Sequence, residues 1–196
     1  ASVALAFLGL AAAAAIALPA TASAQQNRPA SSAPDATAGN AAACFTAIAP
    51  AEIVAGCNAF LDGNQQGQSA DRTGLALQRR GGARAVLGQI DPAIADFQRM
   101  ARSGFKPHEA HASIGSLQFR RQRLAEAETS YREALRINPS YALAQLGLGH
   151  TLIGLGRAAE AIAHFDRALA TNENDANAHF GKGSALAATG DADGAI

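Results

Sequence analysis

Cys44 and Cys57 are the only two cysteines in the 196 residues, and they lie 13 positions apart. A cysteine pair can form a disulfide bond, bind a metal ion together with other ligands, or remain as two buried thiols. A metal pair would need further ligands, and none lies nearby in the sequence. The choice between the disulfide and the free thiols depends on how the surrounding helices place the two positions.

The five histidines could also bind metal or move protons. His108 and His111 are three residues apart, a spacing that could hold a metal ion from one face of a helix. Glu109 is the one carboxylate beside them, and it points to a different part of the helix surface. Of the other histidines, His179 is expected to pack at a seam between helices, and His164 to lie among polar residues. We therefore predict no metal site and no cofactor.

Motifs typical of enzymes are missing from the sequence. It has no Ser-His-Asp arrangement, no phosphate loop and no paired-carboxylate motif. The glycine-rich stretch "GLGHTLIGLG" has no strand before it and follows a helical period, so it does not indicate a nucleotide-binding loop. The 16 basic and 16 acidic residues balance to a net charge of zero, which argues against a nucleic-acid partner. We predict that the chain is not an enzyme.

The elements that must position these side chains follow a repeat of 34 residues, which is a stronger signal than any single motif. Glycine recurs at Gly81, Gly115, Gly149 and Gly183. An alanine follows each glycine by twelve residues, at Ala93, Ala127, Ala161 and Ala195. An aromatic residue follows the first three alanines by four, at Phe97, Tyr131 and Phe165.

Each repeat predicts two helices packed as a hairpin. Its second half, such as "EAIAHFDRAL", carries apolar residues in one stripe and is amphipathic. Its first half, such as "YALAQLGLGHTLIGLG", is apolar on more than one side and must be covered by neighbouring repeats. Gly88, Gly156 and Gly190 are placed to end the first helix, and Pro139 separates one hairpin from the next. The small residues let the two helices approach closely, with the aromatic ring filling the gap beside them.

The same register places the two cysteines. Cys57 takes the position held elsewhere by the aromatic residue, and Cys44 falls on the facing position of the preceding helix. We therefore predict a Cys44–Cys57 disulfide in a degenerate first hairpin, residues 41–67, with "QSADRT" inserted before the regular repeats. Two buried free thiols remain the alternative.

These repeats resemble the tetratricopeptide repeat (TPR) family, whose helix pairs wind into an all-α, right-handed superhelix with a concave groove. The resemblance covers 74–196, as units 74–107, 108–141, 142–175 and a truncated 176–196. It is weaker in the first unit, where "SGFKP" departs from the usual ending. The large aromatic residue near the start of each unit is replaced by Leu77, His111, Gln145 and His179.

The resemblance implies a binding groove lined by the first helix of each unit. The corresponding residues are Leu75, Gln78, Phe119, Arg120, Leu143, Leu146, His150, Ile153 and Phe180. Some family members grip a terminal carboxylate with Lys, Asn and Arg, a set that this chain lacks. The apolar positions suit an amphipathic helix or an extended apolar segment of a protein or peptide partner. Alternatively, some of these residues are covered by a further unit or a capping helix.

The first 24 residues resemble a secretory signal peptide. Residues 1–20 are uncharged, and Ala22 and Ala24 form a small-x-small cleavage pattern. Residues 25–40, rich in Ala, Ser and Pro, are expected to be a disordered linker. An uncleaved membrane anchor is the rival interpretation, since about 20 apolar residues can span a bilayer.

The leading hypothesis is an exported scaffold, periplasmic or secreted, that binds a cell-envelope partner through its groove. The alternative is a membrane-tethered structural or assembly factor that keeps its N-terminal helix, the only part expected to touch a membrane. A catalytic domain following Ile196 is a third possibility, which the full reading frame would reveal.

Overall fold

The computed structural model describes residues 36–63 and 68–190, and within them every regular element is an α-helix. The helices are α1 (Ala36–Thr46), α2 (Pro50–Asp62), α3 (Ala70–Val86), α4 (Ile90–Arg102), α5 (Pro107–Arg120), α6 (Leu124–Ile137), α7 (Ala142–Gly154), α8 (Ala158–Thr171) and α9 (Ala176–Thr189). The predicted all-α fold is confirmed. None of the described helices is both long enough and apolar enough to cross a membrane.

The helices stack in chain order, and each packs on the helix before it and the helix after it. First helices of successive pairs also contact one another, α1 with α3, α5 with α7, and α7 with α9. Second helices of successive pairs make no comparable contact among the described residues. The first helices therefore line the inner face of an α-α superhelix, and the second helices spread apart on its outer face.

The turns inside the hairpins follow the 34-residue period. Gly88, Gly156 and Gly190 have φ angles of 74°, 75° and 85°, in the left-handed region that glycine enters without steric cost. The equivalent position in the remaining hairpin is Gln122, which adopts a φ of 58°. The turn is therefore kept where the glycine is lost, because the flanking helices impose it.

Two helix starts differ from the sequence prediction. Helix α1 begins at Ala36, inside the segment 25–40 that was assigned to a disordered linker. Alanine has the highest helix propensity, and this stretch is rich in it. Helix α3 begins at Ala70, so most of "QSADRT" is helix rather than insertion; the Ser69 hydroxyl caps it by accepting from the Arg72 amide at 3.2 Å. The predicted signal peptide, the rest of the linker and residues 191–196 lie outside the described residues.

Glycine–aromatic packing holds the hairpins together, as predicted. A Cβ atom added at Gly81 would lie 3.1 Å from the Phe97 ring, and one at Gly149 would lie 2.7 Å from the Phe165 ring. Each distance is shorter than ordinary carbon–carbon contact, so the missing side chain is what lets the ring approach the facing helix. The ring then fills the space that a looser pair would leave empty.

Cys44 and Cys57 are fully buried and form a disulfide bond in the structure, with Cα atoms 4.3 Å apart. Helices α1 and α2 cross closely here, because a Cβ atom at Gly56 would overlap the backbone of Ala43 and Cys44. Beside the disulfide, Phe45 and Phe60 pack edge to face with ring centroids 5.0 Å apart. The bond therefore joins the two helices of the first hairpin inside its apolar core.

A buried ionic cluster ties this hairpin to the next one. Asp96 of α4 is 1% exposed and accepts hydrogen bonds from Arg80 at 3.0 and 2.7 Å and from Arg84 at 2.7 Å. Arg80 also donates to the side-chain oxygen of Asn58 on α2 at 2.8 Å. Since burying an unpaired charge is costly, these contacts must be made together for the seam to form.

Candidate functional site

A cavity of about 350 Å³ opens on the inner face, between α3, α5 and α7. Its walls combine apolar, hydroxyl and cationic groups. The residues that matter for binding are Phe97, Ser113, Ser116, Arg120, Tyr131 and Leu143. A concave surface of this kind, apolar with a few polar groups, is typical of a ligand site.

Ser113 explains why the cavity lies at this seam. Thirty-four and sixty-eight residues later, the equivalent positions are Gly147 and Gly181, which lie directly against the rings of Tyr131 and Phe165. At the seam between the first two regular units, the Ser113 side chain takes the place of that glycine. Helices α3 and α5 also lack the close contact that joins α5 to α7. The wider seam leaves the space that the cavity occupies.

Two neutral tyrosines contribute to the cavity wall. Burial raises the pKa of Tyr131 to about 12, although a hydrogen bond with Ser116 acts in the opposite direction. Burial also raises the pKa of Tyr141, and the negative charge of Glu109 adds to this effect. The Tyr141 ring packs edge to face on His108, with centroids 5.0 Å apart. Both phenols are therefore protonated at neutral pH.

The charged groups near the cavity differ in how fully they are paired. The Glu109 carboxylate accepts from Gln78 Nε2 at 3.0 Å and pairs with Lys106 Nζ at 3.0 Å. Arg120, which lines the cavity, is exposed and forms no ion pair with the described residues. An incoming group would therefore meet one uncommitted positive charge, which favours a carboxylate or a carbonyl oxygen.

The residues assigned to the groove from the sequence fall into three groups. Arg120 and Leu143 line the cavity, and Leu143 is 63% exposed. Leu75 and Phe180 are 40% and 74% exposed but do not line it. Four are half-buried: Gln78, Phe119, His150 and Ile153.

Leu146 does not fit the groove assignment. It is 8% exposed and belongs to a core cluster that also contains Ala144 and Ala178. Successive first helices cover this position, so its side chain is not free to meet a ligand. His150 is also engaged, since its ring packs on Phe165 at 5.1 Å between centroids, and burial lowers its pKa.

Sequence reasoning missed Ser113, Tyr131 and Tyr141 as site residues. A signal was present for the first, because a second glycine series at Gly147 and Gly181 is broken by Ser113 one period earlier. The tyrosines carry no such signal, since aromatic residues at those positions are equally expected in a core. Among the described residues, no group of three or more His, Cys, Asp or Glu is placed to hold a metal ion.

Comparisons with solved structures support the fold. The MamA protein aligns with a TM-score of 0.67 and 18% identity, over 81% of this chain and 85% of that chain. YrrB, described as a TPR protein with an unusual peptide-binding site, aligns with a TM-score of 0.62 and 17% identity, over 80% and 77%. The first TPR domain of Spaghetti (RPAP3), solved with the HSP90 peptide SRMEEVD, aligns with a TM-score of 0.59 and 22% identity, over 61% and 95%. At these identities the likeness shows the fold alone.

Family models give the assignment from sequence. Two models, each described as tetratricopeptide repeat, match residues 79–142 and 118–179. Together they span 79–179, which is more than half of the 196 residues. No protein of curated function matches the sequence significantly. The matched residues, the stacked helix pairs and the glycine–aromatic packing agree, and the chain belongs to the tetratricopeptide repeat family.

Proposed function

We propose that this protein is a non-enzymatic interaction scaffold that holds a peptide segment of a partner protein in the cavity between α3, α5 and α7. The observation that carries the proposal is the cavity itself, where the exposed Leu143 and the unpaired Arg120 stand beside buried hydroxyl groups. Two proteins of the same fold point the same way, since one was solved with a bound peptide and the other is described by its peptide-binding site.

The cavity chemistry defines the ligand class. Leu143 and the edge of Phe97 offer an apolar surface for one or two side chains of the ligand. Arg120 offers a charge-assisted hydrogen bond to a carboxylate or carbonyl oxygen. The preferred ligand is an extended or helical segment with apolar side chains next to an acceptor group.

The partner is proposed to be a cell-envelope protein, because residues 1–24 resemble a signal peptide that would export the chain. Sequencing the mature N-terminus tests this part separately from the groove. A first residue of Gln25 supports the exported scaffold. Retention of residues 1–24 contradicts it and favours the membrane-tethered assembly factor.

Peptide selection tests the groove without knowledge of the partner. Random twelve-residue peptides displayed on phage would be selected on the full chain, and the affinities of the recovered peptides measured by calorimetry. Leu143→Glu should weaken binding at least tenfold, because it places a carboxylate where the apolar side chain of the ligand sits. Arg120→Gln should weaken peptides that carry a carboxylate, and affect neutral peptides less.

Ile48→Glu is the matched control. Ile48 is 92% exposed in the turn between α1 and α2, so the same substitution adds the same charge outside the cavity. Selected peptides that bind Leu143→Glu as tightly as Ile48→Glu would show that the cavity is not the binding site.

A further inference from the structure

A second cavity, of about 410 Å³, lies on the outer face where α6 and α8 spread apart over α7. Arginines line it on both sides, from Arg132 and Arg136 on α6 to Arg167 on α8. Leu135 and Leu148 supply apolar wall, and no carboxylate is among its lining residues. We refer to it as the outer basic cavity.

Not all of this positive charge is neutralised. Arg132 Nη1 pairs with Glu128 at 2.7 Å, and Arg136 donates to Glu133 at 2.9 and 2.8 Å, so each guanidinium keeps other N–H groups free. Arg167 is exposed and has no ion-pair partner among the described residues. An anion in the cavity would therefore meet one uncompensated charge and spare donors on the other two arginines.

His164 is held in one orientation at the wall. The side-chain nitrogen of Gln145 donates to the Pro139 carbonyl at 2.8 Å, so the Gln145 oxygen is left to accept from His164 Nδ1 at 2.7 Å. In the neutral ring this fixes the proton on Nδ1 and leaves Nε2 as an acceptor. When the ring is protonated, Nε2–H becomes a further donor.

We propose that the outer basic cavity binds an acidic segment of a protein partner, in which carboxylate side chains flank an apolar side chain. Arginine guanidinium groups match carboxylates in geometry as well as in charge. The leucine wall and the volume exceed what one small anion would fill, which favours a peptide over free phosphate. This site faces away from the inner cavity helices and uses none of its residues, so it stands independently of the proposed function.

The proposal predicts that binding takes up a proton. Burial lowers the pKa of His164, and the charges of Arg167 and Arg132 lower it further, while Glu160 on its own helix raises it. Gln145, the neighbouring side chain on α7, is neutral. Carboxylates in the cavity would oppose the arginine charges and favour the protonated ring, so affinity should rise as pH falls from 8 to 6.

Calorimetry with a defined probe tests this. The probe is an N-acetylated, C-amidated peptide of four glutamates around a central leucine, and its match has glutamines in place of the glutamates. The full chain should bind the glutamate peptide saturably and the glutamine peptide at least tenfold more weakly. Arg167→Gln should weaken the glutamate peptide about fivefold, as expected for one partly exposed charge pair. His164→Gln should abolish the pH dependence.

Arg99→Gln is the control, because Arg99 is an exposed, unpaired arginine outside both cavities and its loss changes the net charge equally. Circular dichroism checks that each variant is folded. Equal affinities for Arg167→Gln and Arg99→Gln would overturn the proposal. So would displacement of the peptide by millimolar inorganic phosphate in wild type and not in Arg167→Gln, which would identify a small-anion site. An affinity independent of pH would contradict the role given to His164.

Discussion

The ring of Phe165 lies directly against Gly181 of the next helix pair, where an added Cβ atom would overlap it. The same ring faces Gly149 of its own pair, so one aromatic side chain occupies the space made by two glycines. Tyr131 has the same relationship to Gly115 and Gly147. The family's close stacking therefore depends on the absence of side chains as much as on the presence of the rings.

Gly149→Ala should destabilise the array. The methyl group would push into the Phe165 ring, and overpacking of this kind costs about 1 to 3 kcal/mol, partly offset by the helix propensity of alanine. Urea unfolding followed by circular dichroism should show a lower midpoint. Gly82→Ala is the control, because a Cβ atom there meets nothing within 4 Å. That variant should gain about 0.5 to 1 kcal/mol; equal effects of the two substitutions would contradict the packing account.

Much of the fold could be predicted because the repeat determines it. Once glycine, alanine and aromatic residues recur every 34 positions, the helix pairs and their turns follow, including the hairpin that holds Cys44 and Cys57. The cavities could not be predicted in the same way. The inner one depends on a single side chain, Ser113, at a seam, and the outer one on how far α6 and α8 diverge. Leu146 shows the same limit, because a helical register gives the direction of a side chain but not whether a neighbouring pair covers it.

Asp96→Asn should strongly destabilise the first two regular pairs. It removes the negative charge from a buried cluster and leaves Arg80, which is 5% exposed, without its counter-ion. Breaking a buried ion pair from one side costs about 3 to 5 kcal/mol. Thermal and urea unfolding would measure the loss.

Asp91→Asn is the matched control for that prediction. Asp91 pairs with Arg121 at 3.2 Å, but the side chains are 66% and 45% exposed. Solvent screens such a pair, so the substitution should cost less than about 1 kcal/mol. Similar losses for Asp96→Asn and Asp91→Asn would show that the buried cluster does not stabilise the seam.

The Cys44–Cys57 bond should stabilise the first hairpin of the exported protein. Closing a loop of this size is worth about 3 kcal/mol by the chain-entropy model, and both sulfur-bearing side chains are inaccessible to solvent. Dithiothreitol should therefore lower the urea midpoint of the wild type. The double variant Cys44→Ser and Cys57→Ser should be insensitive to it. Mass spectrometry without reduction should show no free thiol, and two free thiols would contradict the prediction.

Tyr131 offers a test of how tightly the inner cavity is packed, because the chain has only two tyrosines and no tryptophan. In Tyr141→Phe, absorbance at 295 nm reports on Tyr131 alone. Burial raises the pKa of Tyr131 from 10.0 to about 12, so its phenolate should form far above the range of a free tyrosine. The same variant in concentrated guanidinium chloride should titrate near the ordinary value.

The shift also makes stability depend on pH in a known direction. The folded state keeps the Tyr131 proton while the unfolded state loses it, so the stabilisation is complete below pH 10 and is lost as pH rises towards 12. The free energy of unfolding should fall by about 2 to 3 kcal/mol over that interval through this residue. Urea unfolding of wild type and Tyr131→Phe at pH 9 and 11 isolates the effect, because phenylalanine has no proton to lose. Parallel losses in the two proteins, or a folded-state titration near pH 10, would mean that solvent reaches the phenol and that the cavity wall is open at Tyr131.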